Sequence, residues 1–213
     1  MKLLSSTPRS RPAGFTLIEL LTVISIVAIL AAAAFGAYGK IVENAKRTDS
    51  RVLGKGIADA VTQYYGDYNR LPKPTSASAG EDSSTDTSGA EGMIKILTGK
   101  EGDSDTQQNS RKINYLEGMK AAKARTGLRT GEAAGSDKWV GGLVIEEGNT
   151  EAVDGWGNYY QMRLDSNYDG EMENPNLDEV GDGRQKLPNR VIIWSSGKDG
   201  KEDTWEDNVK SWD

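Results

Sequence analysis

The sequence predicts an α+β fold in which one long N-terminal helix packs on a small antiparallel β-sheet. Residues 15–37 form an apolar run with a single charged side chain, Glu19. Apolar residues such as Val52 and Ile57 then recur mostly at helical spacing as far as Leu71, which is typical of an amphipathic helix. Clear strand-like stretches follow only after residue 138. Helices and strands that are segregated along a chain indicate an α+β architecture.

The composition excludes several classes of site. The 213 residues include no Cys and no His, and their net charge is −6. Disulfides, nucleophile–base pairs that need Cys or His, and zinc sites held by these residues are therefore impossible. Oxygen ligands suited to calcium or magnesium remain. The acidic C-terminal half argues against a nucleic-acid partner. Because the sequence carries no nucleotide-binding motif and no catalytic set, we expect no enzymatic activity.

The apolar run is long enough to cross a membrane. As a helix its 23 residues would extend roughly 35 Å, against about 30 Å for the hydrocarbon core. A signal peptide would have a shorter apolar stretch, and a plain membrane anchor has no need of Glu19. A carboxylate near the centre of a membrane helix costs about 2.5–3.5 kcal/mol and is usually paired. The run contains no Lys or Arg, so a cationic partner would come from outside it.

The start of the run resembles the processing segment of type IV pilins and pseudopilins. The segment Gly14-Phe15-Thr16-Leu17-Ile18-Glu19 follows a short basic leader, as in the substrates of prepilin peptidase. The resemblance implies cleavage after Gly14, methylation of the new N-terminal Phe15, and pairing of Glu19 with the Phe15 amine of a neighbouring subunit. It also implies the pilin fold and a helical filament. Many members have a proline where this chain has Gly36, so a proline kink is not expected.

The sequence divides into a leader, a transmembrane and filament-core helix, its amphipathic continuation, a variable loop insertion with short helices, and a sheet with an acidic C-terminal region. Their bounds are 1–14, 15–37, 38–71, 72–138 and 139–213. Within the insertion, residues 73–92 are expected to form a loop and residues 93–97 a short helix or turn. Strands are expected at 139–145, 159–164 and 190–195.

The acidic C-terminal region resembles that of the major pseudopilin of type II secretion systems. Segments 154–158 and 194–200, with the acidic residues that follow them, match the family's pattern. Gly155 replaces the family's proline, and Glu206 replaces its usual Asp. The resemblance implies a calcium ion in this loop. Its ligands would be Asp199, Glu206 and Asp207, with Asp203 as an additional candidate. Crowded carboxylates repel one another without a cation, although a solvated acidic loop without metal is the alternative.

A second candidate calcium site is segment 165–171, which matches the first half of an EF-hand loop, D-x-[DN]-x-[DN]-G. Its candidate ligands are Asp165, Asn167, Asp169 and Glu171. The twelfth position, a bidentate Glu in EF-hands, is Asn176. Glu171, Glu173 or Asp178 could substitute for that Glu. An Asx-rich turn between strands, without metal, is the alternative.

Together the resemblances imply a structural subunit of a type II secretion pseudopilus, which drives protein export. A type IV pilin subunit of a surface fibre, used for adhesion or motility, is the alternative. We expect a single-pass protein of the bacterial inner membrane with its C-terminal head in the periplasm. Expected partners are further copies of the chain in a helical filament, prepilin peptidase, other pseudopilins and the inner-membrane assembly platform.

Overall fold

The computed structural model of the chain describes residues 14–76, 82–102, 106–125, 138–146, 148–176 and 185–212. Most of the predicted leader, residues 1–13, lies outside these ranges, as does Asp178. The chain divides into two compact units, the first ending at Glu43 and the second beginning at Asn44. The elements in chain order are α1 (Leu17–Tyr68), β1 (Ser83–Asp86), α2 (Met93–Thr98), β2 (Lys123–Ala124), β3 (Trp139–Val140), β4 (Gly142–Glu146), β5 (Asn149–Val153), β6 (Tyr160–Leu164), β7 (Met172–Glu173), β8 (Lys186–Leu187), β9 (Val191–Ser195) and β10 (Val209–Lys210).

The first unit contains the N-terminal part of α1, which begins with a capping box. Thr16 N and Oγ1 donate to Glu19 Oε2 at 2.8 and 2.7 Å, and Glu19 N donates to Thr16 Oγ1 at 3.3 Å. These bonds satisfy backbone donors that a helix start leaves without partners. The helix continues through Gly36 without a break. It is long and apolar enough to cross a membrane, and none of its most apolar stretch is buried.

The part of α1 in the second unit buries one face. Its buried residues recur at the spacing of an amphipathic helix, and they include Leu53, Ile57, Val61 and Tyr64. The sequence pattern places Val52 on this face, which is wrong: Val52 is 66% exposed, whereas Leu53 is 6% exposed. Successive residues of a helix are rotated by about 100°, and at this pair the rotation turns Leu53 to the core and Val52 to the surface.

Two short features of the second unit differ from the sequence pattern only in their bounds. α1 ends at Tyr68 rather than at Leu71, because Asn69 adopts a left-handed φ of 50°. α2 corresponds to the short element expected at 93–97. Its buried side chains belong to the same core as the buried face of α1.

The main sheet has four antiparallel strands in the order β1–β6–β9–β10. β6 and β9 are the strands expected at 159–164 and 190–195. The strand expected at 139–145 is not in this sheet: Gly141, with a φ of 67°, separates β3 from β4, and β4 pairs with β5 in a two-stranded sheet. One edge is instead β1, which lies in the segment that the sequence assigns to a loop. Its residues, Ser-Ser-Thr-Asp, lack the apolar alternation that would mark a strand.

The main sheet is covered on both faces. On one face, Met162 and Leu164 of β6 belong to the same core as the buried face of α1. On the other face, Ile192 and Trp194 of β9 pack with residues that include Met172 and Trp212. Successive side chains of a strand point to opposite faces, so β9 contributes to both cores and all of its residues are buried.

α1 is joined to the sheet region by buried hydrogen bonds at Ser50. The Tyr160 hydroxyl donates to Ser50 O at 3.0 Å, and Gly155 N donates to Ser50 Oγ at 2.9 Å. The approach is close, because a Cβ atom on Gly155 would lie 2.9 Å from Lys46 Cβ. Ser50 therefore serves as a polar contact between the helix and the turn that follows β5.

Replacing Ser50 by Ala removes the acceptor of the Gly155 N–H. We expect the free energy of unfolding to fall by about 1–3 kcal/mol, the typical cost of leaving a buried donor unsatisfied. The measurement is denaturant unfolding of the full chain in detergent micelles, followed by tryptophan fluorescence. All five tryptophans lie in the second unit, so the signal reports on that unit alone.

Thr48→Ala is the matched control for Ser50→Ala. Thr48 Oγ1 donates to Asn44 O at 2.9 Å on an exposed face, much as Ser50 Oγ donates to Lys46 O at 2.8 Å. We expect the control to change stability by no more than about 0.5 kcal/mol. Equal losses in the two variants would show that the contact between Ser50 and Gly155 contributes nothing.

Candidate functional site

The predicted processing site lies immediately before α1. Gly14 and Phe15 are exposed and lie outside regular structure, and Phe15 is 82% exposed. The backbone on either side of the predicted cleavage point is therefore accessible. Glu19 lies one helical turn beyond, where its carboxylate accepts both hydrogen bonds from Thr16. The sequence pattern Thr-x-x-Glu is a capping-box signature. This pattern predicts Thr16 as a partner of Glu19, whereas an argument from charge alone does not.

The turn at 154–158 is organised around a buried carboxylate. Asp154 is fully buried, and its Oδ1 accepts the backbone N–H groups of Trp156, Gly157 and Asn158 at 2.8, 2.7 and 2.8 Å. Its Oδ2 accepts Asn158 Nδ2 at 3.2 Å and the hydroxyl of Ser195. Burial raises the pKa of Asp154, and the hydrogen bonds oppose that rise. These donors occupy both oxygens, so the role of Asp154 is to hold the turn.

The structure brings this turn against the loop between β9 and β10. Asn158 Nδ2 donates to Gly197 O at 2.7 Å. At Gly197, φ is 67° and a Cβ atom would lie 2.4 Å from Asp207 O, so this position requires glycine. Segments 154–158 and 194–200 are therefore in contact with each other.

The loop between β9 and β10 closes on two of the predicted calcium ligands. Asp207 Oδ2 accepts the N–H groups of Lys198 and Asp199 at 2.6 and 3.0 Å. Asp199 in turn accepts Lys201 N at 2.9 Å and the Thr204 hydroxyl at 2.7 Å. The Lys201 N–H, followed by that hydroxyl, lowers the pKa of Asp199. Both side chains thus order the loop.

The other two predicted ligands of this loop are less engaged. Asp203 and Glu206 are exposed. The backbone oxygen of Glu206 accepts a hydrogen bond from Arg47 Nη2 at 3.2 Å. Within the part of the chain that the structure describes, no group of three or more acidic side chains lies close enough together to hold a metal ion. The loop brings Asp199 and Asp207 together but does not assemble the full predicted set.

The second predicted site is a loop of successive Asx turns between β6 and β7. Asp165 Oδ2 accepts Gly170 N at 3.1 Å, Asn167 Oδ1 accepts Asp169 N at 3.0 Å, and Asp169 Oδ1 accepts Glu171 N at 2.8 Å. Glu171 pairs with Lys186 at 2.7 Å, so its charge is already compensated. The first three residues point their oxygens into one turn, whereas Glu171 is engaged elsewhere.

Comparison with known families gives one match. A family model described as the prokaryotic N-terminal methylation motif matches residues 9–35. Comparisons with curated proteins and with solved structures gave no match. The matched residues include the predicted cleavage point and most of the apolar part of α1, and they do not reach the second unit.

Proposed function

We propose that this type IV pilin-like chain is a structural subunit of a type II secretion pseudopilus, whose assembly drives protein export. The observation that carries the filament-forming part of the proposal is the N-terminal methylation motif at residues 9–35, which runs into a helix whose apolar side chains are exposed. Side chains of this kind need lipid or other helices to cover them. A filament that grows from the membrane supplies both in turn. The secretion role rests on the resemblance of residues 154–207 to a major pseudopilin.

The order of events follows from this arrangement. The precursor would insert with its basic leader in the cytoplasm, as the positive-inside tendency favours, and with its head in the periplasm. Prepilin peptidase would remove residues 1–14 and methylate Phe15. The inner-membrane assembly platform and other pseudopilins would then move the exposed helix from lipid into the filament.

Within the filament, Glu19 would pair with the Phe15 amine of a neighbouring subunit. Its partners inside the chain, the N–H and hydroxyl of Thr16, are neutral and leave the negative charge uncompensated. An unpaired charge is costly in a medium of low dielectric constant, and cleavage before Phe15 creates a cation one turn away. The need for this pair would set the axial register between subunits.

The charge of Glu19 and its capping role can be separated by substitution. Gln also functions at this position of a capping box, so Glu19→Gln keeps the cap and loses the charge. We expect Glu19→Gln to insert and be cleaved normally but to assemble at least about tenfold less filament, as Glu19→Leu should. The measurement is the amount of sheared, sedimented filament, together with the N-terminal mass of the subunit.

Thr16→Ala is the control for this comparison, because it removes the side-chain cap and keeps the charge. We expect it to assemble nearly as well as the parent, since an exposed cap is worth about 1 kcal/mol. Normal assembly of Glu19→Gln would refute the charge pairing.

We also propose that calcium binds the loop between β9 and β10. Asp199 and Asp207 would be its first ligands, joined by Glu206 and, as a further candidate, Asp203. The support is that Asp207 already accepts the Asp199 N–H and that the available donors are all oxygens. Calcium takes six to eight oxygens, including backbone carbonyls and water, so it does not require three preplaced carboxylates. Glu206 would have to turn towards the loop.

Chelation should then lower the melting temperature of the head. A ligand at about a hundred times its Kd adds about 2.7 kcal/mol, which corresponds to several degrees for a protein of this size. We expect Asp199→Asn to respond to calcium less than the parent does, by the share that the ion at this loop contributes. The measurement is thermal unfolding of the full chain in micelles, by tryptophan fluorescence, with calcium and with chelator.

Glu202→Gln removes one exposed acid from the same loop without touching a proposed ligand. We expect this control to keep the calcium response of the parent. If Asp199→Asn and Glu202→Gln respond to calcium equally, the ion does not bind at Asp199.

A type IV pilin of a surface fibre for adhesion or motility is the second candidate function. The matched motif fits it equally well, because both kinds of subunit are processed and assembled through the same N-terminal segment. The resemblance of residues 154–207 to a major pseudopilin favours the secretion role.

Deletion of the gene distinguishes the two functions. We expect a set of folded exported proteins to disappear from the extracellular fraction while surface fibres are unchanged. The measurement is quantitative proteomics of the medium, with electron microscopy of the cell surface and complementation by the intact gene. Unchanged exported proteins with loss of fibres, adhesion or motility would identify a type IV pilin instead.

A further inference from the structure

Two carboxylates face each other where β1 begins and β6 ends. The register pairs Ser83 with Leu164, so one step further along the antiparallel pair places Asp82 opposite Asp165. Side chains at directly opposite positions lie on the same face with Cβ atoms about 4.5–5.5 Å apart. Like charges in this arrangement repel each other, so the pair needs compensation.

Burial makes the repulsion harder to relieve. Asp165 is 2% exposed, and among the residues that the structure describes the Oδ1 atoms of Asp82 and Asp165 are buried with no hydrogen-bond partner. Burial, followed by the charges of Asp165 and Asp169, raises the pKa of Asp82, and Arg163 opposes this rise. A buried oxygen without a partner is costly, and more so when it carries charge.

The surroundings of this pair are a polar cavity of about 470 Å³ on the sheet face opposite α1. Asp82 and Arg163 line the cavity, together with acidic side chains of the loop after β6. Asp165 follows the last residue of β6 and is buried beside the cavity lining, close enough that its charge raises the pKa of Asp82. Two of the lining residues are cations, and each has a partner of its own: Arg163 Nη1 donates to Glu173 O at 3.2 Å, and Lys186 pairs with Glu171.

A third buried oxygen without a partner among the described residues lies just beyond β7. Asn176 is the twelfth residue of the segment that begins at Asp165, and it is 3% exposed. Its Oδ1 is buried without a hydrogen-bond partner in the described part of the chain. Segment 165–176 thus begins and ends on residues with an acceptor oxygen that has no partner among the described residues, whereas Asn167 and Asp169 accept hydrogen bonds inside it.

We propose that Asp82 and Asp165 bind a divalent cation, calcium, between the start of β1 and the loop that follows β6. Amide and backbone oxygens of the loop, with water, supply the remaining ligands. Calcium suits an irregular set of carboxylate, amide and carbonyl oxygens. The site contains two carboxylates, which agrees with the lack of a cluster of three acids among the described residues. Asp82 replaces Glu171, the predicted ligand that Lys186 neutralises.

A buried water molecule is the competing occupant. Water could donate hydrogen bonds to both orphaned oxygens, but it carries no charge to offset the repulsion between the two carboxylates. A cation satisfies the oxygens and removes the repulsion together. The ion would also tie β1, an edge strand, to the centre of the sheet. This inference does not rest on the proposed function, because it uses only the strand register and the buried oxygens around Asp82 and Asp165.

The test compares Asp82→Asn with Asp86→Asn in the full chain in micelles. Both variants remove one negative charge from the β1 region. Asp86 stands opposite Gln161 and accepts the Ser88 N–H, a bond that Asn can also accept. We expect Asp82→Asn to bind calcium at least about tenfold more weakly at this site than Asp86→Asn, because affinity follows the number of charged ligands. Isothermal titration with calcium chloride measures the affinity and the number of ions.

Thermal unfolding gives a second readout, in which the expected order of the two variants differs between chelator and calcium. In chelator, Asp82→Asn should melt at a higher temperature than the parent, because it removes the facing charge, whereas Asp86→Asn should not. In calcium the order should reverse, with Asp82→Asn below Asp86→Asn. Any binding at Asp199 is common to both variants and cancels. Equal calcium affinity, equal stoichiometry and equal melting in the two variants would overturn the proposal and assign the cavity to water.

Discussion

The contact between α1 and β6 is the interaction on which the rest of the second unit depends. One face of the helix supplies the core under the main sheet, and Ser50 accepts the Gly155 N–H at the point of closest approach. β6 lies next to β9, and β9 buries side chains in both cores. The turn at 154–158 precedes β6 and the acidic loop follows β9. The placement of the turn and of the acidic loop is therefore a consequence of how the helix packs on the sheet.

The acidic residues of this chain fall into two physical groups. Asp154 shows how the protein stabilises a buried carboxylate by itself: backbone N–H groups, an amide and a hydroxyl occupy both oxygens. Asp82 and Asp165 are different, because each keeps one buried oxygen without a partner in the described residues. A carboxylate that its own chain satisfies is structural, and one that it leaves unsatisfied is where an external cation would gain most.

Recognition from sequence succeeded where the signal was local. The apolar run, the methylation motif and the strands β6 and β9 each carry their pattern within a few consecutive residues. It failed where the deciding contact was distant. β1 is too polar to be identified as a strand, and it pairs because the edge of β6 is free to accept it. Asp82 could not be identified as a candidate ligand, because only the register of β1 against β6 places it opposite Asp165.

The sequence by itself determined the membrane-length helix, its processing motif and the acidic character of the C-terminal loops, because periodicity, composition and short motifs are properties of neighbouring residues. Only the tertiary structure decided which acids meet. In the folded chain the Asp207 carboxylate accepts the Asp199 N–H, Glu171 forms an ion pair with Lys186, and the strand register places Asp82 opposite Asp165. Charge interactions depend on distance and burial, and both are set by strand pairing between residues far apart in the chain.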